Sequence, residues 1–220
     1  MPNYYPVYLN LEGRRCIVIG GGDVAERKIQ HLLECGARVG LISPEATPVL
    51  QDLAQQGQIE WVQKSYEPGD LKDAFLAIAA TDDSKVNREI YFEAERSKVL
   101  LNVVDVTRYC VFIAPAIVRQ GDITLAISTG GTSPALARRI REELQGYLTK
   151  DYADLAKVLA QVRAAIRRQG VVVQPDVWQD GIKDGTMDLI TKGLLEEAKE
   201  RLIAFLVKSA QKSASDSKVG

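Results

Sequence analysis

Histidine occurs once in the 220 residues, at position 31, and cysteine three times, at positions 16, 35 and 110, with no C-x-x-C spacing. An odd number of unpaired cysteines fits reduced, partly buried thiols better than a disulfide framework or a zinc site. No resident metal is expected. Nor does any apolar run approach the roughly 18 residues a membrane span needs. Residues 1–11 lack the charged and apolar regions of a signal peptide. The expectation is a soluble, cytoplasmic protein with no membrane partner. Excess charge is missing too. Net charge is −1 with 26% charged residues, so no global positive field calls for nucleic acid, and any polyanion site has to be local. No internal repeat is evident.

What is present is a glycine turn. Cys16-Ile17-Val18-Ile19 runs into Gly20-Gly21-Gly22, and then Ala25, Ile29, Leu32 and Leu33 recur at i, i+4, i+7 and i+8. This reads as strand, tight turn and helix, with the pattern G-x-G-x-x-A. The turn of Gly20, Gly21 and Gly22, with the small Ala25, lets a pyrophosphate approach the main chain, where the helix N–H groups and dipole face it. Arg38 to Ile42 supplies a second strand, the context that turns a weak motif into a dinucleotide fingerprint.

Before the turn, Tyr4, Tyr5, Tyr8 and Leu11 form an aromatic-rich lead-in expected to pack beside the first strand. The first helix runs from about Asp23, its expected N-cap, to Cys35, with Gly36 placed to stop it. His31 is out of phase with the apolar stripe and reads as a surface residue, away from the cleft. The second strand ends in Ser43-Pro44-Glu45, where such folds reach the adenosine ribose. An acid there, with no nearby Arg or Lys, favours NAD over NADP.

Further parallel strands are expected at Ile59 to Val62, Phe75 to Ala80 and Val99 to Val104. Thr81-Asp82-Asp83 follows one of them, either lining the cofactor cleft through Thr81 or capping the helix from Ser84 to Ser97. Past Asp105 the alternation of strand and helix stops. Cys110 to Ala114, Ala116 to Arg119 and Ile123 to Ser128 read as strands, the last two a hairpin.

Ser128-Thr129-Gly130-Gly131-Thr132-Ser133-Pro134 then opens a helix, with Ser133 as cap and Pro134 at its first position. Its hydroxyls and glycine amides make a candidate anion site. Arg138, Arg139 and Arg141 read either as a solvated face or as a carboxylate-binding patch. Amphipathic helices are expected at Asp154 to Arg168 and Leu194 to Leu206, with a loop-like connection over Val171 to Gly185 that has room for a short ordered piece. From Lys208 the tail lacks apolar periodicity and reads as disordered.

The fold class expected is α/β: an N-terminal Rossmann-like parallel sheet at 1–107, a small β dimerisation and active-site region at 108–148, a helical C-terminal domain at 149–207 and a disordered tail at 208–220.

V-I-G-G-G-D-V-A-E-R-K (18–28), A-A-T-D-D (79–83), N-V-V-D (102–105) and S-T-G-G-T-S-P (128–134), in this order, resemble the precorrin-2 dehydrogenase and sirohydrochlorin ferrochelatase family of sirohaem synthesis. The resemblance implies NAD-dependent oxidation of precorrin-2 to sirohydrochlorin, in some members followed by insertion of ferrous iron, which is held only transiently. It also implies a homodimer, catalysis at Asp105, and cofactor contacts at Asp23, Val24, Pro44 and Glu45. The substrate is then an anionic tetrapyrrole, for which Ser128, Thr129, Gly130, Gly131, Thr132 and Arg138 are the candidate carboxylate partners. The residues agree that a nicotinamide and one positioned acid or base suffice. Asp105, at a strand's carboxyl end, fits that role, and a turn aspartate is its bland alternative. Two other readings stay open: another NAD(P)-dependent oxidoreductase, and a non-catalytic NAD-sensing module.

Overall fold

The computed structural model describes residues 3–216, with side chains as far as residue 211. The chain divides into two units, Met1–Ala114 and Pro115–Gly220.

The first unit is built on strands that read as near-continuous apolar runs because both sheet faces are covered. β1 (Arg15–Ile19), β2 (Arg38–Ile42), β3 (Ile59–Val62), β4 (Leu76–Ala79) and β5 (Leu100–Val103) pair in parallel in the order β3-β2-β1-β4-β5. The expected Rossmann-like α/β fold is present. Alternate residues separate the two faces. Cys16, Val18, Val39, Leu41, Leu76 and Ile78 pack under α1 (Asp23–Glu34) and α2 (Pro48–Gln55) through Ile29, Leu32 and Leu50. Ile17, Ile19, Ala77, Ala79, Leu101 and Val103 pack with Ile90 and Ala94 of α3 (Ser84–Ser97). Connections leave β1 toward β2 on one side, and the chain later returns to β4 on the other, so the order reverses between β1 and β4. That switch point opens a crevice beyond the strands' carboxyl ends.

Burial pushes the Cys16 thiol up to about 11, with nearby Cys35 adding to it, so Cys16 acts as a small core hydrophobe. Glu93, 5% exposed, is the buried acid of this unit. It accepts hydrogen bonds from the Tyr66 hydroxyl and from the backbone N–H groups of Gly69 and Leu71, the latter two at 2.9 Å, tying α3 to the turn before β4.

Several expectations are corrected here. Cys110 to Ala114 is not a strand: a 3₁₀ turn at Thr107–Tyr109 precedes it. It meets β5 through one backbone bond, Val111 N–H to Leu101 O at 2.8 Å, and through Asn102 Nδ2 donating to Phe112 O at 2.9 Å. Asp23 is the first residue of α1, and extended Gly22 is the cap. The N-terminal aromatics do not pack as expected, Tyr5 being 87% and Tyr8 71% exposed, and only Leu11 of that stretch is buried.

In the second unit, β6 (Ala116–Gln120) and β7 (Ile123–Ile127) form the expected antiparallel hairpin. Gly121 supplies the positive φ of 57° that a two-residue II′ turn requires at its first central position. α4 (Pro134–Tyr147) and α5 (Lys150–Arg168) follow. Within Val171 to Gly185, the loop-like connection with room for an ordered piece, the ordered piece is α6 (Pro175–Lys183), and α7 (Thr186–Thr191) comes next. α8 (Leu195–Asp216) extends well beyond Leu206. Residues 208–216, expected as disordered, are therefore helical, as their lysines, alanines and glutamine permit. The remainder of that expected tail, 217–220, lies outside the described residues. The core joins Val158, Val162 and Ile166 to Ile190, Ala198, Leu202 and Leu206. Gly181 is packed so tightly that a Cβ would lie 2.6 Å from Leu202 Cδ1.

Replacing Glu93 by Leu leaves three donors without their acceptor, two of them on the buried residues Tyr66 and Leu71. Equilibrium urea unfolding should show a loss of about 3 kcal/mol.

Candidate functional site

The site begins at the turn after β1. Gly20 has φ 104°, and a Cβ on it would overlap the carbonyl oxygen of Ala80; a Cβ on Gly21 would overlap that of Glu45. Hydrogen bonds hold the same approach, Gly20 N–H to Ile42 O at 3.0 Å and Thr47 N–H to Gly21 O at 2.9 Å. Gly22 differs, because nothing lies within 4 Å of where its Cβ would be. No side chain caps α1, so its first N–H groups, on Asp23 and Val24 among others, face that open space. Gly20 and Gly21 thus let backbones meet, and Gly22 leaves room for an anion. These residues fit a dinucleotide pyrophosphate.

At the end of β2, Trp61 Nε1 donates to Ser43 O at 2.9 Å and Gln63 Nε2 to Pro44 O at 3.2 Å. The backbone at exposed Pro44 and Glu45 is thereby pinned beside the glycine turn. Thr47 Oγ1 donates to Glu26 Oε2 at 2.6 Å, joining this loop to α1.

Thr81 follows β4. Asp83 caps α3, its carboxylate accepting from Lys85 and Val86 N–H, while Thr81 and Asp82 line a cavity of about 240 Å³ with Val24, Asn87, Val104 and Asp105. Asp83 is thus the helix cap, and Thr81 and Asp82 are cavity wall. Asn87 is 5% exposed and donates through Nδ2 to Thr81 O at 2.9 Å, whereas its Oδ1 is buried with no partner.

Asp105 terminates the N-V-V-D stretch in a left-handed turn, φ 60°, a conformation that costs a non-glycine residue about 1 kcal/mol. Its surroundings hold it there. The Cys110 sulfur accepts from Val103 N–H at 3.2 Å and its thiol donates to Val103 O at 3.2 Å. The carboxylate is exposed, at the rim of two cavities. The second cavity, about 290 Å³, is lined by Val24, Arg27, Lys28, His31, Val104 and Asp105. His31, expected as a surface residue away from the cofactor cleft, is exposed and borders this second cavity. Burial pushes the Lys28 ammonium below the ordinary lysine range and Arg27 adds to this, while Asp105 pulls the other way.

Arg27, Lys28, His31 and Asn87 were not expected from the sequence. The signal for the first three was the spacing Val24, Arg27 or Lys28, His31, one face of α1 at i, i+3 or i+4, and i+7.

The second unit holds the other candidate residues. Ser133 caps α4 through Leu136 N–H at 3.2 Å; Ser128 Oγ accepts from Gly130 N–H; Thr129 Oγ1 accepts from Ser133 N–H and donates to Ser133 O. Gly130 and Gly131 adopt φ 63° and 85°. Arg138 pairs with Glu142, Arg139 with Glu143, and Arg141 with Glu142. The pairs of Arg138 and Arg139 are exposed, as on a solvated face, whereas Arg141 is half-buried with its Nε out of solvent and without a partner.

Among the described residues no cluster of His, Cys, Asp or Glu is placed to hold a metal ion, and no helix is long and apolar enough to cross a membrane.

A family model described as "Putative NAD(P)-binding" matches residues 7–116, half of the chain. The chain belongs to that NAD(P)-binding family. The NAD(P)-binding stretch holds all of the first unit's site residues. A second model, "Sirohaem biosynthesis protein central", matches 120–147, the hairpin and α4. Siroheme synthase of Nitrosococcus oceani is 38% identical over 92% of this chain and 44% of its own length. Siroheme synthase 1 of Serratia proteamaculans is 35% identical over 96% of this chain and 45% of its own. The chain thus spans less than half of these curated relatives. The solved structure of "SirC, precorrin-2 dehydrogenase" is similar over 95% of this chain and 100% of that one, with 27% identity and TM-score 0.72.

The open space at Gly22 and its extended backbone suit an aspartate, which could cap α1. Gly22→Asp should therefore keep its thermal unfolding midpoint. NAD affinity should fall more than tenfold by calorimetry, as the carboxylate takes the phosphate's place.

Proposed function

We propose that this chain oxidises precorrin-2 to sirohydrochlorin with NAD. The observation that carries the reading is Asp105: a carboxylate held in a strained turn at the switch-point crevice, sharing its cavity wall with Val24 beside the anion-receiving start of α1. Strain of this kind persists where surrounding contacts over-determine it, and it concentrates at functional sites. The likeness to SirC supports the substrate.

Gly22, Asp23 and Val24 would hold the pyrophosphate, Pro44 and Glu45 the adenosine ribose, and Thr81 the nicotinamide side, with Gly20 and Gly21 shaping the cradle. Glu45, with no Arg or Lys close after it in sequence, favours a free 2′-hydroxyl and hence NAD. When bound, NAD supplies the hydride acceptor. Asp105 takes the proton that the tetrapyrrole loses as its C–H bond yields a hydride, so that precorrin-2 and NAD⁺ give sirohydrochlorin, NADH and a proton. Ser128, Thr129, Gly130, Gly131, Thr132 and Arg138 are assigned to the substrate's carboxylates. A cytoplasmic, homodimeric enzyme completes the proposal. The free cysteines suit a reducing compartment. Exposed Ile117 on β6 and Leu136 and Tyr147 on α4 suit a buried contact around 108–148.

Asp105→Asn preserves size and tolerance of the left-handed turn but removes the base. It should lower NADH formation from precorrin-2 at least a hundredfold, with NAD affinity within threefold. Retained turnover would remove Asp105 from the mechanism. The same anaerobic assay with ferrous ion added reads iron insertion through the product's absorbance.

A further inference from the structure

We infer that Arg27, Lys28 and His31 of α1 form a binding subsite for a carboxylate group of the substrate, immediately beside Asp105. The inference rests on the proposed function for its substrate and adds a site on a face of the first unit that the cofactor does not need.

Three observations carry it. The three side chains line one cavity, with Val24, Val104 and Asp105 completing its wall. Arg27, Lys28 and His31 form no ion pair among the described residues, in contrast to Arg138, Arg139 and Arg141 on α4, each held by a glutamate. Arg27 instead makes a long 3.4 Å bond from Nε to Asp23 O. Lastly, Lys28 is half-buried, and Asp105 is the one carboxylate lining the cavity beside the Arg27 and Lys28 cations. An anionic group entering this cavity meets unneutralised positive charge.

Position along the helix separates this patch from the phosphate cradle. At 1.5 Å per residue, Arg27 to His31 lie about 8–14 Å down the axis from Gly22. The cavity also lies on the α1 face of the sheet, while the cavity with Thr81 and Asn87 lies toward α3. Asp105 borders both. A substrate carboxylate seated on Lys28 would hold the macrocycle edge against Asp105 without touching the pyrophosphate.

The test uses the full chain and three variants: Lys28→Met, Lys28→Arg, and Arg27→Gln with His31→Gln, the last pair at exposed positions. KM and kcat are measured for precorrin-2 at saturating NAD, sirohydrochlorin affinity by absorbance titration, NAD affinity by calorimetry, and folding by thermal unfolding. Lys28→Met is expected to raise KM and weaken sirohydrochlorin binding about tenfold, with kcat and NAD affinity within threefold; Lys28→Arg restores most of both. The double variant should weaken sirohydrochlorin binding about fivefold, and it decides the matter if Lys28→Met fails to fold. Unchanged sirohydrochlorin affinity in the folded variants overturns the subsite. So does a loss of NAD affinity, which would give the cations to the cofactor, or a fall in kcat at constant KM, which would make them positioning residues for Asp105. A wild-type chain that binds sirohydrochlorin without oxidising precorrin-2 sinks the proposed reaction alone, and the affinity comparison still tests the subsite. One that does neither removes both.

Discussion

Backbone meets backbone at Gly20 and Gly21, with no room for a Cβ against the carbonyls of Ala80 and Glu45. Everything at the carboxyl edge of the sheet is placed by that approach. It fixes where α1 starts, brings the loop after β2 against the same turn through Thr47 N–H, and sets the end of β4 beside β1 through Ala80 N–H and Ile19 O at 2.8 Å. Three chain segments distant in sequence thereby converge on the first turn of one helix. The helix's unsatisfied N–H groups then face the open space beside Gly22, and an anion is the natural occupant.

The catalytic proposal depends on a second, local constraint. An aspartate is held at φ 60° because the residues on either side of it are already committed. Val103 is in the ladder with β4 and also bonded twice to the Cys110 sulfur, and Asn102 is bonded to Phe112. The chain has to turn between them, and Asp is among the few residues that tolerate the turn. Cys110 therefore acts structurally, its sulfur bonding Val103 next to the backbone bond from Val111 N–H to Leu101 O.

Around Asp105 the electrostatics are asymmetric. One cavity offers uncharged and acidic groups, Thr81, Asn87 and Asp82, with Arg108 at its edge; the other offers Arg27, Lys28 and His31. A neutral ring and an anionic side chain would be sorted to different sides of the same carboxylate. Burial of Lys28 sharpens this, since a partly desolvated cation interacts more strongly with whatever anion reaches it.

The five strands of the first unit and its helices α1 and α3 were readable in the chain because each carries a local signature: apolar runs of strand length, Gly36 after α1, Asp83 before α3, glycines where backbones touch. Such signatures act within a few residues, so no fold is needed to see them. The helical phase of α1 likewise revealed which side faces the core. It could not reveal that the edge bearing Lys28 and His31 lies against the end of β5, because that follows from the strand order β3-β2-β1-β4-β5, a property of the assembled sheet. α6 was legible only as a short ordered piece for a similar reason: a stretch with Pro175, Trp178 and Gly181 has poor intrinsic helicity, and its helix is stabilised by Gly181 packing directly on α8. Local chemistry in the chain specified the elements and the cofactor turn; only tertiary packing decided which charged groups share a cavity with Asp105, since that is a matter of which surfaces are brought together.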